Sequence, residues 1–159
     1  MTSQNELYNK LPTWIVFFIL IIPDFVISIG PISFIVGTFV YGLWLMVIIM
    51  ILQRIVPPEI NVNPGWFLIR LLFALSYMFY IEWVKGGELP SSLYVVHFLA
   101  VLSIFSCVID AARFLVIAEE GRKQRFDKYI GTFLLFMFYP LGVWFLHPRI
   151  RRVAVLSRS

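Results

Sequence analysis

Apolar residues occur in five long runs along the chain, and the charges, prolines and glycines concentrate between them. The runs cover residues 11–29, 32–52, 66–84, 93–117 and 129–146. A hydrocarbon core of about 30 Å needs about 20 helical residues, so the second and fourth runs cross a bilayer comfortably and the other three narrowly. The pattern predicts an all-α fold, a polytopic helical membrane bundle of about five apolar segments that forms a single domain over residues 1–159.

Helix-breaking residues mark the connections between the runs. The pair 57–58 (Pro-Pro) and the stretch 61–65 (Asn-Val-Asn-Pro-Gly) separate the second run from the third, and the pair 86–87 (Gly-Gly) ends the third. Pro140 lies inside the fifth run, where it removes a backbone donor. We therefore expect a helix kink at Pro140 near the middle of the membrane.

The composition supports a membrane protein. Apolar residues make up 60% of the chain and charged residues 14%, whereas a soluble domain has about 45–50% and about 25%. Cys107 is the only cysteine, which argues against a secreted disulfide scaffold. The basic residues flank apolar runs rather than forming a patch with aromatic residues, so nucleic acid is not an expected partner. The expected partner is the lipid bilayer, and the expected location is within a membrane.

The distribution of basic residues leaves the topology open. If all five runs span, the N-terminus and the 53–65 and 118–128 connections share one side, with six lysines and arginines against five on the other. This weak bias favours a cytoplasmic N-terminus. If instead four runs span and the first or fifth is re-entrant or interfacial, both basic segments, 118–128 and 149–158, lie on one side. Either segment is a candidate for contact with anionic lipid headgroups.

Polar residues within the fourth run form the clearest candidate site. At about 100° per residue, Ser103, Ser106 and Arg113 project within about 60° of Asp110. Arg70 in the third run lies at a similar depth if the two helices are antiparallel. One interpretation is a packing interface in which Asp110 pairs with Arg70 or Arg113. The other is a polar pathway or substrate pocket.

A second, weaker cluster consists of Asp24, Glu82 and His97, which fall near the opposite membrane face. A carboxylate–imidazole group of this kind is able to hold a metal ion or a proton, but the spacing is not that of a ligand set. The sequence also lacks the H-E-x-x-H, G-x-S-x-G, Walker A and G-x-G-x-x-G patterns. We therefore assign no catalytic, cofactor-binding or metal-binding residue, and no cofactor.

The C-terminal third resembles a group of small bacterial integral membrane proteins that has no known activity. The chain has Phe-Asp-Lys-Tyr-Ile-Gly at 126–131, then an aromatic-rich run, then P-x-G-x-W-x-x-x-P-R at 140–149. In the group, F-x-D-Y-I-G precedes a phenylalanine-rich helix and P-I-G-I-W closes it. The chain departs from the pattern at His147 and Arg151, where the group has amide side chains. The resemblance implies a bacterial inner-membrane protein and no particular chemistry.

Three functional hypotheses follow from these features. The first is a non-enzymatic membrane protein that serves as an accessory, assembly or structural subunit, with other membrane proteins or a second copy as partners. The second is a small homo-oligomeric transporter or channel that uses the polar stripe of the fourth run. The third, an intramembrane enzyme, lacks a recognisable nucleophile and base.

Overall fold

The computed structural model describes residues 11–26, 31–56, 63–84, 93–122 and 124–156, with the side chains of 22–26, 31–35, 64, 82, 83 and 156 outside the description. The described part of the chain is all-helical, as predicted. Its six helices are α1 (Thr13–Val26), α2 (Pro31–Leu52), α3 (Pro64–Val84), α4 (Leu93–Glu120), α5 (Phe126–Met137) and α6 (Tyr139–Leu156).

The three longest helices, α2 to α4, form an antiparallel group. Gly42 of α2 lies against Leu75 of α3, where an added Cβ would come within 3.2 Å of the leucine side chain. Among the described residues, α4 is the one helix that is long and apolar enough to cross a membrane, with a mean hydropathy of 2.1 over its best window. The apolar stretches of α2 and α3 are shorter, at Val36–Leu52 and Gly65–Ile81. The structure therefore supports a helical bundle with one clear candidate span, and not the full count of five.

The buried core lies where α2 and α4 end and α3 begins. Three fully buried side chains lie there: Leu52 of α2, Leu115 of α4 and Ile150 of α6. The opposite half of α4 is different, because Tyr94 and other large side chains near its start are exposed. The bundle is thus packed tightly at one end and presents apolar surface at the other.

The fifth apolar run is not a single helix. Helix α5 ends at Met137, Phe138 leaves the helical conformation with φ −95° and ψ 51°, and α6 begins at Tyr139. The amides of Leu141 and Gly142 donate to the carbonyl of Phe138 at 3.0 and 2.8 Å, which starts the new helix. The prediction of one helix across 129–146 is wrong. The predicted kink at Pro140 is also wrong, because the helix breaks at Phe138 and Pro140 lies in the first turn of α6, where its missing amide is tolerated.

Helices α5 and α6 form an antiparallel hairpin. Gly142 packs on the backbone of Leu135, and further along, Arg149 reaches Thr132 of α5 and Glu119 of α4. The end of α4 and the second half of α6 therefore lie at the same end of the bundle. A fully spanning fifth run would instead place the 118–128 connection and the second half of α6 at opposite ends of the bundle.

Helix α1 also begins at this end. Thr13 is the first residue of α1, and its hydroxyl oxygen Oγ1 lies 3.1 Å from Nδ1 of His147 in α6. One turn later, the Phe17 ring lies 5.2 Å from the ring of Trp144. Helix α1 thus runs antiparallel to α6, and its 14 residues extend about 21 Å.

We call the end of the bundle where α2 and α4 finish and α3 and α5 start the basic end. All nine described lysine and arginine side chains lie in the half of the bundle nearest to it: Arg54, Arg70, Arg113, Arg122, Arg125, Lys128, Arg149, Arg151 and Arg152.

Candidate functional site

Arg70 of α3 joins two polar side chains of α4. Its Nη2 makes an ion pair with Oδ2 of Asp110, and its Nη1 donates to Oγ of Ser106. Its Nε donates to the carbonyl of Trp66 one turn earlier in α3, at 3.2 Å. Ser106 and Asp110 are four residues apart and so share a helix face, and the antiparallel helix presents Arg70 to both. The contact between Arg70 and Asp110, predicted from depth alone, is present.

The surroundings of this cluster are mostly apolar. The side chain of Arg70 is 26% exposed and that of Asp110 is 13% exposed. The pair is therefore mostly covered by the surrounding residues. Cys107 is fully buried beside it, with Sγ 3.8 Å from the carbonyl of Phe67. A carboxylate in such a place needs a cation and donors to remain charged. Arg70 supplies both, which makes the cluster self-compensating.

Two residues of the predicted stripe do not join this cluster. The hydroxyl of Ser103 donates to the carbonyl of Leu99 in its own helix at 2.8 Å. Arg113 is half-buried and forms no ion pair with any described carboxylate. Asp110 therefore pairs across the α3–α4 interface with Arg70 and not within α4 with Arg113. The angular pattern was right about the helix face but did not show which side chains reach a partner.

The second predicted cluster is mostly outside the described side chains. The side chains of Asp24 and Glu82 lie outside the described part of the structure. His97 is exposed and packs edge-on against the ring of Tyr77 at 5.7 Å. Among the side chains that the structure describes, no group of three His, Cys, Asp or Glu is placed to hold a metal ion.

Sequence reasoning missed a second polar connection, at the basic end. Arg149 of α6 donates to both carboxylate oxygens of Glu119, from Nε at 2.7 Å and from Nη2 at 2.5 Å. Its Nη1 donates to Oγ1 of Thr132 at 3.1 Å, and Thr132 is buried. The guanidinium therefore ties α4, α5 and α6 together. A spanning fifth run would have separated these residues, so only recognition of the hairpin would have revealed the contact.

The turn of the hairpin is held by an aromatic cluster. Tyr41 of α2 donates from its hydroxyl to the carbonyl of Phe136 at 2.8 Å. Its ring stacks on Tyr139 at 4.8 Å, and Trp44 packs on Phe136 at 5.7 Å. In a continuous helix the carbonyl of Phe136 would accept from residue 140, which is a proline and has no amide hydrogen. Tyr41 supplies the missing donor.

A cleft of about 450 Å³ opens between the start of α1 and the second half of α6. Its walls are formed by Thr13, His147, Pro148, Arg151, Arg152 and Val155. His147 is buried, and this burial lowers the pKa of its imidazole, with a further lowering from the nearby charge of Arg151. The cleft is thus lined by two guanidinium groups, a hydroxyl and an imidazole.

Comparison with known protein families, with curated proteins and with solved structures finds no match for this chain. The resemblance of the C-terminal third to small bacterial membrane proteins stays a prediction.

Proposed function

We propose that this chain is a non-enzymatic integral membrane protein that acts as an accessory, assembly or structural subunit of a larger complex. The proposed location is the cytoplasmic membrane of a bacterium. The observation that carries the proposal is the closed polar cluster, in which the guanidinium of Arg70 is occupied by Asp110, Ser106 and the carbonyl of Trp66. A cluster whose charges and donors satisfy one another stabilises helix packing and needs no ligand.

The exposed apolar surface supports placement in a membrane. Only 33% of the apolar window of α4 is buried inside the bundle, whereas the core helix of a soluble protein is mostly buried. Large exposed side chains also cover the hairpin, including Phe138 at 64% and Leu141 at 71%. A continuous apolar surface of this kind requires lipid or protein neighbours. The two short helices of the hairpin fit a re-entrant element that enters and leaves from the same side.

The charge distribution supports an orientation. With the hairpin re-entrant, all nine described lysines and arginines lie toward the basic end. The positive-inside rule then favours a cytoplasmic location for this end, and with it for the start of α1. The near balance of charges that the sequence suggested came from treating the fifth run as a full span.

A small transporter or channel is the competing proposal. It is favoured by the incomplete burial of the Arg70–Asp110 pair, since 26% of the Arg70 side chain is not covered by the described bundle. In that case Asp110 exchanges partners during transport and is not locked to Arg70.

The substitution Asp110→Asn distinguishes the two proposals. If the cluster serves packing, the loss of a charged hydrogen bond leaves Arg70 uncompensated and lowers the unfolding free energy by about 1–3 kcal/mol. The matched control is Asp127→Asn, because the Asp127 side chain is 67% exposed and its nearest ion-pair contact is 3.9 Å long. Melting of the purified protein measures stability, and proton or solute flux into liposomes measures transport.

We expect Asp110→Asn to melt lower than both the native protein and the control, and we expect the native protein to carry no flux. A native flux that Asp110→Asn abolishes while its melting temperature stays unchanged would overturn the structural proposal in favour of the transporter.

A further inference from the structure

We propose that the cleft between α1 and α6 binds a phosphate group, and that the headgroup of an anionic lipid presents it. The juxtaposition that carries this inference is that of Arg151 and Arg152 with the hydroxyl of Thr13 around a cavity of about 450 Å³. The inference is independent of the proposed subunit function, because it concerns a different part of the molecule.

The two arginines of the cleft differ in charge balance from three other arginines at the basic end, Arg122, Arg125 and Arg149. Arg149 is neutralised by Glu119, and the exposed arginines of the α4–α5 connection lie 3.9 Å from carboxylates, Arg122 from Glu120 and Arg125 from Asp127. Arg151 and Arg152 are exposed, and within the described ranges neither pairs with a carboxylate. Among the described residues that line the cleft, none is acidic. The site therefore carries two positive charges that a bound anion would compensate.

The donor set suits phosphate. A guanidinium presents a planar fork of N–H donors that matches phosphate oxygens, and two such groups suit an ion with several acceptor oxygens. Thr13 adds a hydroxyl at the cleft wall. The volume is within the range of about 300–1,000 Å³ usual for small-molecule sites. The side chains of Val155 and Pro148 add an apolar wall against which the glycerol part of a lipid would pack.

The position of the cleft favours a lipid as the source of the phosphate. It lies at the basic end, beside the exposed ring of Trp14 in the first turn of α1. Tryptophan is enriched at the headgroup level of membranes. Basic side chains at this level attract anionic lipids by about 1 kcal/mol each. Of the two basic segments considered from the sequence, 149–158 thus fits a headgroup better than 118–128, whose described arginines face carboxylates.

The test compares the full-length protein with two charge-matched double variants in lipid nanodiscs. Arg151→Gln with Arg152→Gln removes the two cleft charges. The control, Arg122→Gln with Arg125→Gln, removes two exposed charges from the same end of the bundle. Each protein is melted in phosphatidylcholine discs, in discs that contain phosphatidylglycerol, and in phosphatidylcholine discs with inorganic phosphate at constant ionic strength. A ligand that binds only the folded state raises the melting temperature.

We expect phosphatidylglycerol to raise the melting temperature of the native protein and of the control equally, and the cleft variant to lose this rise. If inorganic phosphate alone raises the melting temperature of the native protein and the cleft variant loses this rise, the cleft is a phosphate site and its ligand is free phosphate. If the native protein shows no rise with either probe, or if both double variants lose it equally, the proposal is wrong.

Discussion

The carbonyl oxygen of Phe136 lies at the last turn of α5, where a proline four residues later cannot donate to it. Tyr41 donates its hydroxyl to this oxygen from another helix at 2.8 Å. An unsatisfied carbonyl away from water costs several kcal/mol in hydrocarbon, so this single contact allows the chain to reverse at Phe138. Proline removes a donor, and the fold supplies one from a distant part of the sequence.

Removal of that donor gives a prediction. We expect Tyr41→Phe to lower the unfolding free energy by about 1–3 kcal/mol, because it leaves the Phe136 carbonyl without a partner while keeping the ring. Tyr80→Phe is the control, since the Tyr80 side chain is 47% exposed. Chemical denaturation in detergent micelles measures both. Equal stability of the two variants would show that the Phe136 carbonyl does not depend on Tyr41.

His147 gives a prediction about pH. Burial, and then the charge of Arg151, lower the pKa of this imidazole in the folded protein below its unfolded value of about 6.5. The unfolded state therefore binds the proton more readily. The stability contribution is present in full above pH of about 6.5 and is lost as the pH falls toward the folded pKa.

The measurement is the melting temperature between pH 7.5 and 5. Whatever its stability at pH 7.5, a His147→Gln variant should lose less stability on acidification than the native protein. His97→Gln, which replaces an exposed histidine, should keep the native pH dependence. A native protein and a His147→Gln variant with identical pH profiles would contradict the assigned role of burial.

Individual contacts were predictable from the sequence only where helix depth determined them. Arg70 and Asp110 were placed together because Arg70 lies near the start of the third run and Asp110 near the end of the fourth, which meet at one end if the helices are antiparallel. The choice between Arg70 and Arg113 was not predictable, since it depends on which rotamer reaches the carboxylate. The pair of Arg149 and Glu119 was missed because it requires the chain to reverse between them.

At the scale of secondary structure, the hairpin of α5 and α6 is the feature that apolar periodicity did not reveal. An apolar run has the same sequence pattern whether it forms one continuous helix or two helices joined by a reversal, because both arms of the hairpin face apolar surroundings. The second, third and fourth runs matched helices closely, ending in the structure at Leu52, Val84 and Glu120. The fifth run is divided at Phe138, where α5 ends and α6 begins.

Gly142 is the residue on which the close approach of the two arms depends. A Cβ at this position would overlap the backbone carbonyl of Leu135, so Gly142→Ala must push the arms apart. We expect a loss of about 1–3 kcal/mol in unfolding free energy, the usual cost of overpacking.

Gly131→Ala is the matched control for this substitution. Gly131 is an exposed glycine in α5 with nothing within 4 Å of an added Cβ. Alanine should stabilise the helix there by up to about 1 kcal/mol. Thermal unfolding of both variants provides the comparison. A Gly142→Ala variant as stable as Gly131→Ala would show that the arms are not in contact as described.

At the scale of the whole molecule, the hairpin changes the distribution of charge. It brings Arg149, Arg151 and Arg152 to the end of the bundle that already carries the α4–α5 connection. The composition indicated a membrane protein, and the described helices agree with a bundle. The arrangement was not predictable from the sequence because one reversal at Phe138 moves the second half of α6 from one end of the bundle to the other.

The central claim is that the end of α4 and the end of α6 lie on the same side of the membrane, and cysteine labelling tests it most directly. A Cys107→Ser background removes the native thiol, and the serine hydroxyl is able to donate to the Phe67 carbonyl as the thiol does. Single cysteines are then placed at Lys128 and Arg152, both exposed, and at Glu88 in the α3–α4 connection. A membrane-impermeant maleimide is added to right-side-out and to inside-out vesicles. We predict that Lys128→Cys and Arg152→Cys label in the same vesicle preparation and Glu88→Cys in the other, whereas labelling of Lys128→Cys and Arg152→Cys in opposite preparations would contradict the hairpin and the account built on it.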